Sequence, residues 1–270
     1  MSDKPPAIAP AKTLFDSPEY AAAFSDLPLS DLPADFATRT LIASRTSHGL
    51  QIDVKVKAQQ VDARFGDERL IMMHEPDSPR AGAFRVLTGR LAERGSPRTV
   101  LCTSPLRQEG KTTLAVNLAL ALCEFGRARV LLIECNLRRP ALAKLFGFRP
   151  PTCASKLLLL SGHAPTGEWH VAQIKPELHV IAVDTASLDK PHVIDGPSID
   201  SSLRRLKRVQ YDYIVLDTPH VLGHADVNLA QDYVDAIVMS GYSKKTSMKA
   251  VSRAVDQLST PKLLGMALVG

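Results

Sequence analysis

The 270-residue chain contains no run of the roughly 18 to 20 apolar residues that a membrane-spanning helix needs. Its longest candidate, Leu114 to Leu122, is too short and is interrupted by Asn117. The opening MSDKPPAIAPAK has no apolar core of a secretion signal, so the sequence predicts a cytoplasmic protein. Cysteine is scarce. Cys102, Cys123, Cys135 and Cys153 show neither C-x-x-C spacing nor a Cys/His zinc pattern, which argues against a structural metal and predicts reduced, mostly buried thiols. Long Lys/Arg runs are also missing. There are 12 basic and 13 acidic residues before Ser96, and 21 and 15 from there on, so the net charge of +5 belongs to the second part. That modest excess argues against nucleic-acid binding and suits an anionic ligand equally well. An apolar content of 45% excludes wholesale disorder.

Residues 1–66 are rich in Pro, Ala and Asp and have weak periodicity, which predicts a flexible tail ahead of one domain over 67–270. SDLP occurs twice in the tail, at Ser25 to Pro28 and Ser30 to Pro33, as a docking motif or as chance repetition in a biased linker. Alternation of Ile52, Val54 and Val56 predicts a short strand within Leu50 to Val61. Pro76, Asp77 and Ser78 look like a helix start, followed by Phe84, Leu87 and Leu91 at helical spacing. Beyond that, apolar runs predict strands at Thr99 to Cys102, Val130 to Ile133, Leu178 to Val183, Tyr213 to Leu216, Ala236 to Met239 and Leu264 to Val269. Helical patterns fall between them, near Lys111 to Phe125, Pro140 to Phe146, Ser155 to Leu160, Ile199 to Val209, Ala225 to Asp232 and Ser247 to Leu258. The expected fold class is α/β, a mostly parallel sheet flanked by helices on both faces.

The first of those strands runs through Thr103-Ser104-Pro105-Leu106-Arg107-Gln108-Glu109-Gly110-Lys111-Thr112-Thr113 directly into a helix. Strand, loop, Gly-Lys-Thr and helix bring backbone N–H groups and a helix N-terminus to phosphate oxygens. In such a P-loop, Lys111 reaches the β- and γ-phosphates, Thr112 places its hydroxyl on Mg²⁺ and Thr113 meets the α-phosphate. Pro105 replaces the usual opening glycine. Two further strands end in acids, Val130-Leu131-Leu132-Ile133-Glu134 and Tyr213-Ile214-Val215-Leu216-Asp217, at the edge where open parallel sheets bind ligands. There a carboxylate holds Mg²⁺ directly or through water, or else caps a helix.

Taken together, these blocks resemble the bacterial tyrosine kinases (BY-kinases) of capsule and exopolysaccharide synthesis, within the MinD/ParA group of P-loop ATPases. The resemblance runs from about Arg69 to Gly270 and includes Glu75-Pro76, Phe84 to Leu87, Glu109 to Thr113, Leu131 to Pro140, Tyr211 to His220, Asp226 and Val234-Asp235. It implies an ATP-using cytoplasmic domain, peripheral at the inner membrane through a polysaccharide co-polymerase (a chain-length regulator), and a homo-oligomer. By the same resemblance Arg107, Gln108, Glu109, Gly110, Lys111, Thr112, Thr113 and Arg138 bind ATP. Thr112, Asp217 and Glu134 hold Mg²⁺, and Lys111, Glu134 and Asp217 are catalytic, Glu134 standing where the family has an Asp that activates the incoming tyrosine hydroxyl.

The chain departs from that pattern in places. Arg107-Gln108 replace a Pro-Gly, and a positive φ at Gln108 would be disfavoured. Glu134 extends the expected Asp by one methylene, Asn136 replaces an Asp expected to help hold Mg²⁺, and His220 replaces a proline. Of the family's oligomer-forming E-x-x-R-x-x-R, only Arg85 survives between Gly82 and Thr88. The tyrosines, Tyr20, Tyr211, Tyr213, Tyr233 and Tyr242, form no C-terminal cluster of phosphorylation targets. Two alternatives follow: a catalytically degenerate P-loop scaffold of polysaccharide assembly, and a ParA/MinD-like ATPase on DNA or a membrane surface using Arg204, Arg205, Lys207 and Arg208, a stripe that also reads as a solvated face. Against the latter, Leu106 stands where the ParA/MinD signature lysine would fall.

Overall fold

The computed structural model describes residues 54–159, 168–187 and 196–269. The duplicated SDLP and Ile52 lie outside them. In chain order the principal elements are β1 (Lys55–Gln60), α1 (Ile71–His74), α2 (Pro79–Glu93), β2 (Thr99–Thr103), α3 (Lys111–Leu122), β3 (Val130–Glu134), α4 (Leu142–Phe146) and α5 (Ala154–Leu159). They continue with β4 (Glu168–Lys175), β5 (Leu178–Ile181), α6 (Gly196–Leu206), β6 (Tyr213–Asp217), α7 (Asp226–Ala230), β7 (Ala236–Gly241), α8 (Met248–Asp256) and β8 (Leu263–Leu268).

The strands form one sheet in the order β1-β4-β5-β3-β6-β2-β7-β8, parallel throughout except between β4 and β5. The expected α/β class therefore holds. β2, β3 and β7 are buried at every position, which is why they read as unbroken apolar runs rather than alternating ones. Alternate residues serve two cores. Val100, Val130, Leu132, Val215 and Val238 pack with α1, α2, α3 and α4, whereas Leu101, Leu131, Ile133, Ile214 and Ile237 pack with α5, α6, α7 and α8. β1, the exposed Lys-containing edge strand predicted from Ile52, Val54 and Val56, begins the sheet ahead of the residue-67 boundary drawn from composition. β4 is not expected from the sequence: Trp169 and Val171 join one core and Ala172 and Ile174 the other, so both faces are covered without an unbroken apolar run, and its register with β5 shifts between Gln173 and Lys175.

α2 starts where Ser78 accepts the Ala81 N–H (3.2 Å) and Pro79 takes the first helical position. α3 is apolar nearly all round because it lies between the sheet and α1 and α2. Asn117 is its polar exception and is fully buried. Its Nδ2 donates to the Arg69 and Thr113 carbonyls (2.7 and 2.8 Å), and its Oδ1 accepts the Met72 N–H (3.0 Å). This side chain thereby staples the segment entering α1 to the first turns of α3. Among the described residues no helix is long and apolar enough to cross a membrane.

Asn117→Ala removes three buried hydrogen bonds and leaves the Met72 N–H without its acceptor, so we expect a loss of about 2 to 3 kcal/mol of stability. The shift of the urea midpoint followed by circular dichroism measures it, and an unchanged midpoint would show the staple to be idle.

Candidate functional site

The sheet order puts β6 between β3 and β2, so Asp217 lies level with Glu134 on one side and Cys102 on the other. The chain after β6 is laced to the start of the loop after β2. Thr218 donates its N–H and hydroxyl to the Cys102 carbonyl (3.1 and 2.9 Å), Thr103 its hydroxyl to the Pro219 carbonyl (2.7 Å), and Val221 its N–H to the Ser104 carbonyl (2.9 Å). Strand-end acid and phosphate loop are therefore fixed relative to one another by the main chain.

Two residues of the loop lie in left-handed conformations. Gly110 has φ 80°, and a Cβ there would come within 2.1 Å of the Val269 side chain, so glycine is required twice over. Gln108 has φ 62°. The positive φ is thus kept without the glycine, at a cost on the order of 1 to 2 kcal/mol. Side chains brace the loop. The buried Glu109 carboxylate accepts the Leu106 N–H (2.6 Å), and Ser104 Oγ donates to the Leu106 carbonyl (2.6 Å). Glu109 thus shapes the loop from within, whereas Arg107 and Gln108 are exposed.

Gly110 passes directly into α3, whose first residues are Lys111, buried, and the half-buried Thr112 and Thr113. Thr112 donates its hydroxyl to Asp217 Oδ2 (2.9 Å). Asp217 is almost wholly buried, and its Oδ1 has no partner among the described residues. Burial pushes its carboxyl up to about 6, against the pull of Lys111, the Thr112 hydroxyl and Arg69. A hydroxyl, a hard carboxylate and an orphaned buried oxygen suit a small divalent cation, which would satisfy Oδ1 and relieve the buried charge. Mg²⁺ therefore fits this pair.

Glu134 is placed differently from its expected metal-binding and catalytic role. It is fully buried, and both oxygens are held by main chain: Oε1 accepts the N–H groups of Ala141 and Leu142 (2.9 Å for Leu142), and Oε2 accepts that of Val183 (2.8 Å). Burial raises its carboxyl to about 7 despite those donors. The extra methylene carries the carboxylate to the start of α4, where it stands in for the cap that Ala141 lacks. Helix α4 accordingly begins at Leu142 rather than at the expected Pro140. Arg138 is exposed beside this turn, and Asn136 is buried.

No motif marks Arg69. The Asn117 staple holds it beside Thr113, and Asp67 grips its guanidinium at 2.9 and 2.6 Å, with the Asp67 carboxyl lowered to about 2. A lone Asn inside an apolar helix was the available clue, because such a side chain must find partners. His220 packs edge-on against His224 with ring centres 4.4 Å apart. Burial, then His224, Lys111 and Arg139, depress it to about 4, so it is neutral near pH 7. The basic face considered for DNA or a membrane surface is partly paired, Arg204 to Asp200 (2.7 Å) and Lys207 to Asp235 (3.3 Å).

Glu134→Asp restores the residue type of the resembled family, yet it withdraws the carboxylate from three buried N–H groups. We expect it to cost about 1 to 3 kcal/mol in a denaturant titration, and unchanged stability would contradict the capping role.

No protein-family model matches the chain. It is 27% identical to tyrosine-protein kinase YwqD of Bacillus subtilis over 207 residues, covering 74% of this chain and 85% of that protein. It is 25% identical to the succinoglycan biosynthesis transport protein ExoP of Rhizobium meliloti over 239 residues, 80% of this chain but only 30% of that longer protein. The solved kinase domain of VpsO superposes with a TM-score of 0.55 at 27% identity, covering 70% of this chain and 93% of that domain. With its loop, strand-end acid and sheet order in place, the chain is similar in sequence and in fold to the bacterial tyrosine-protein kinases.

Proposed function

We propose that the chain binds ATP with Mg²⁺ at the loop of residues 104–113 and acts, with a membrane polysaccharide co-polymerase, in surface-polysaccharide synthesis and export. The observation that carries the reading is the Thr112–Asp217 contact of 2.9 Å, with Asp217 Oδ1 buried and unpartnered beneath the Gly110-Lys111 turn. The pathway rests on the relatives, one of which is named for succinoglycan biosynthesis and transport. Location at the cytoplasmic face of the inner membrane, through the partner, follows from the same resemblance.

In this reading Lys111 holds the β- and γ-phosphates, Thr113 the α-phosphate, and Thr112 with Asp217 the cation. Bound together, nucleotide and cation supply an activated phosphoryl group whose charge is partly neutralised. The chain's own residues do the rest. The lacing of residues 218–221 onto 102–104 keeps Asp217 at a fixed distance from the loop, and Glu109 keeps the loop shaped. His220, neutral, adds no second positive charge beside Lys111. Asn136 contributes no charge where the family has a carboxylate, so cation affinity and turnover are both reduced.

A second reading is favoured by Glu134: an ATP-binding scaffold without tyrosine phosphotransfer. Its carboxylate would have to leave Ala141, Leu142 and Val183 before serving as a base for an incoming hydroxyl. Self-assembly through α2 also lacks support, because Arg85 is engaged within the chain by Glu124 at 2.7 and 2.6 Å and by the Pro76 carbonyl at 2.8 Å.

Calorimetric titration with Mg-ATP tests the proposal. Binding should be measurable, and Lys111→Met should weaken it at least about tenfold, as expected for loss of a charged contact to phosphate. No binding at millimolar ATP, or an unaffected Lys111→Met variant, would overturn it. In cells, normal polymer output from Lys111→Met alongside none from a deletion would select the scaffold reading.

A further inference from the structure

Helix α8 and the turn before it carry a surface that the nucleotide reading does not use. Ala250 and Ala254, one helical turn apart, and then Leu258 are buried against the sheet, with Val251 and Val255 half-buried beside them. Met248, Lys249, Ser252 and Arg253 consequently face outward, and Ser247 fixes the start of the helix by accepting the Ala250 N–H (3.2 Å). The preceding turn adds Lys244 and Lys245, both exposed. Lys245 lies over the Tyr242 ring at 5.4 Å, whereas Lys244, Lys249 and Arg253 make no ion pair among the described residues. The acid on this helix, Asp256, sits at its far end. Met248 is 77% exposed, more than Leu268, Val86 or Leu106, the other exposed large apolar side chains among the described residues.

We propose that this face docks on an anionic lipid surface, with Lys244, Lys245, Lys249 and Arg253 at the headgroups and Met248 entering the interface. Four cations on a turn and one helix face, around a single protruding apolar side chain, match the chemistry of a charged bilayer boundary. Duplex nucleic acid would use the cations but leave Met248 in solvent, whereas a bilayer interface buries it. The proposal stands apart from ATP binding. The two surfaces are nonetheless neighbours, since the Tyr242 ring that opens the basic turn lies 3.9 Å from the position of a Cβ on Gly110.

Co-sedimentation of the full chain with vesicles tests this, using phosphatidylcholine alone and phosphatidylcholine with about one third phosphatidylglycerol. The chain should sediment with the anionic vesicles only and be released by about 0.5 M salt. Lys244→Gln, Lys249→Gln and Arg253→Gln should each weaken binding about fivefold, the equivalent of roughly 1 kcal/mol per cation. Met248→Ser should weaken it without changing the salt dependence. Unchanged melting temperature and Mg-ATP affinity in these variants show that the fold survives. The proposal is overturned by no sedimentation with anionic vesicles, or by a triple glutamine variant that sediments like the parent. Tighter binding to duplex DNA or to polyglutamate than to the vesicles at equal salt would assign the face to those partners instead.

Discussion

A carboxylate buried with half its hydrogen-bonding capacity unmet sets the terms for the site. Asp217 ends a strand in the middle of the sheet, surrounded by main chain that cannot move away from it, and only Thr112 and the nearby charges of Lys111 and Arg69 offset the lost hydration. Such a group is a liability to folding unless a ligand completes it. Everything nearby serves to keep it in place: β3 and β2 pair on either side, residues 218–221 lace onto the loop, and Gly110 lets α3 start where its first hydroxyl reaches the carboxylate.

Around that fixed centre, neighbouring acids do structural work. Glu134 and Glu109 both stand in motifs associated with nucleotide chemistry, yet both engage main-chain N–H groups, one at the start of α4 and one inside the phosphate loop. Gln108 keeps a left-handed backbone without the residue that adopts it cheaply, and the Glu109 and Ser104 braces compensate locally. The proposed phosphate loop thus has its side chains free of main-chain caps at Lys111 and Thr113 among the described residues, whereas the Glu134 carboxylate is fully engaged by main-chain N–H groups.

The sheet was legible in the sequence wherever strands are buried on both faces, because a continuous apolar run ending in an acid or a glycine-containing loop has few other structural solutions. β4 shows no such run because His170, Gln173 and Lys175 interrupt its buried Trp169, Val171, Ala172 and Ile174. Lys111, Thr112 and Asp217 could be placed from spacing, since strand and helix starts fix where they emerge. The role of Glu134 could not: one methylene decides between the cation pair and the α4 cap, and only side-chain geometry shows which. Arg69 was equally invisible, being brought to the loop by Asn117 rather than by any motif.

The braced loop, the Thr112–Asp217 pair and the basic outer face sit on a fold similar to that of the bacterial tyrosine-protein kinases. Thr112 and Asp217, without Glu134, are proposed to form the cation site, and the paramagnetic resonance of Mn²⁺ as a substitute for Mg²⁺ tests the claim most directly. The claim predicts a protein-bound Mn²⁺ signal that requires ATP, is lost in Asp217→Asn, and persists in Glu134→Gln. A signal that survives Asp217→Asn, or that disappears only when Glu134 is changed, would contradict it.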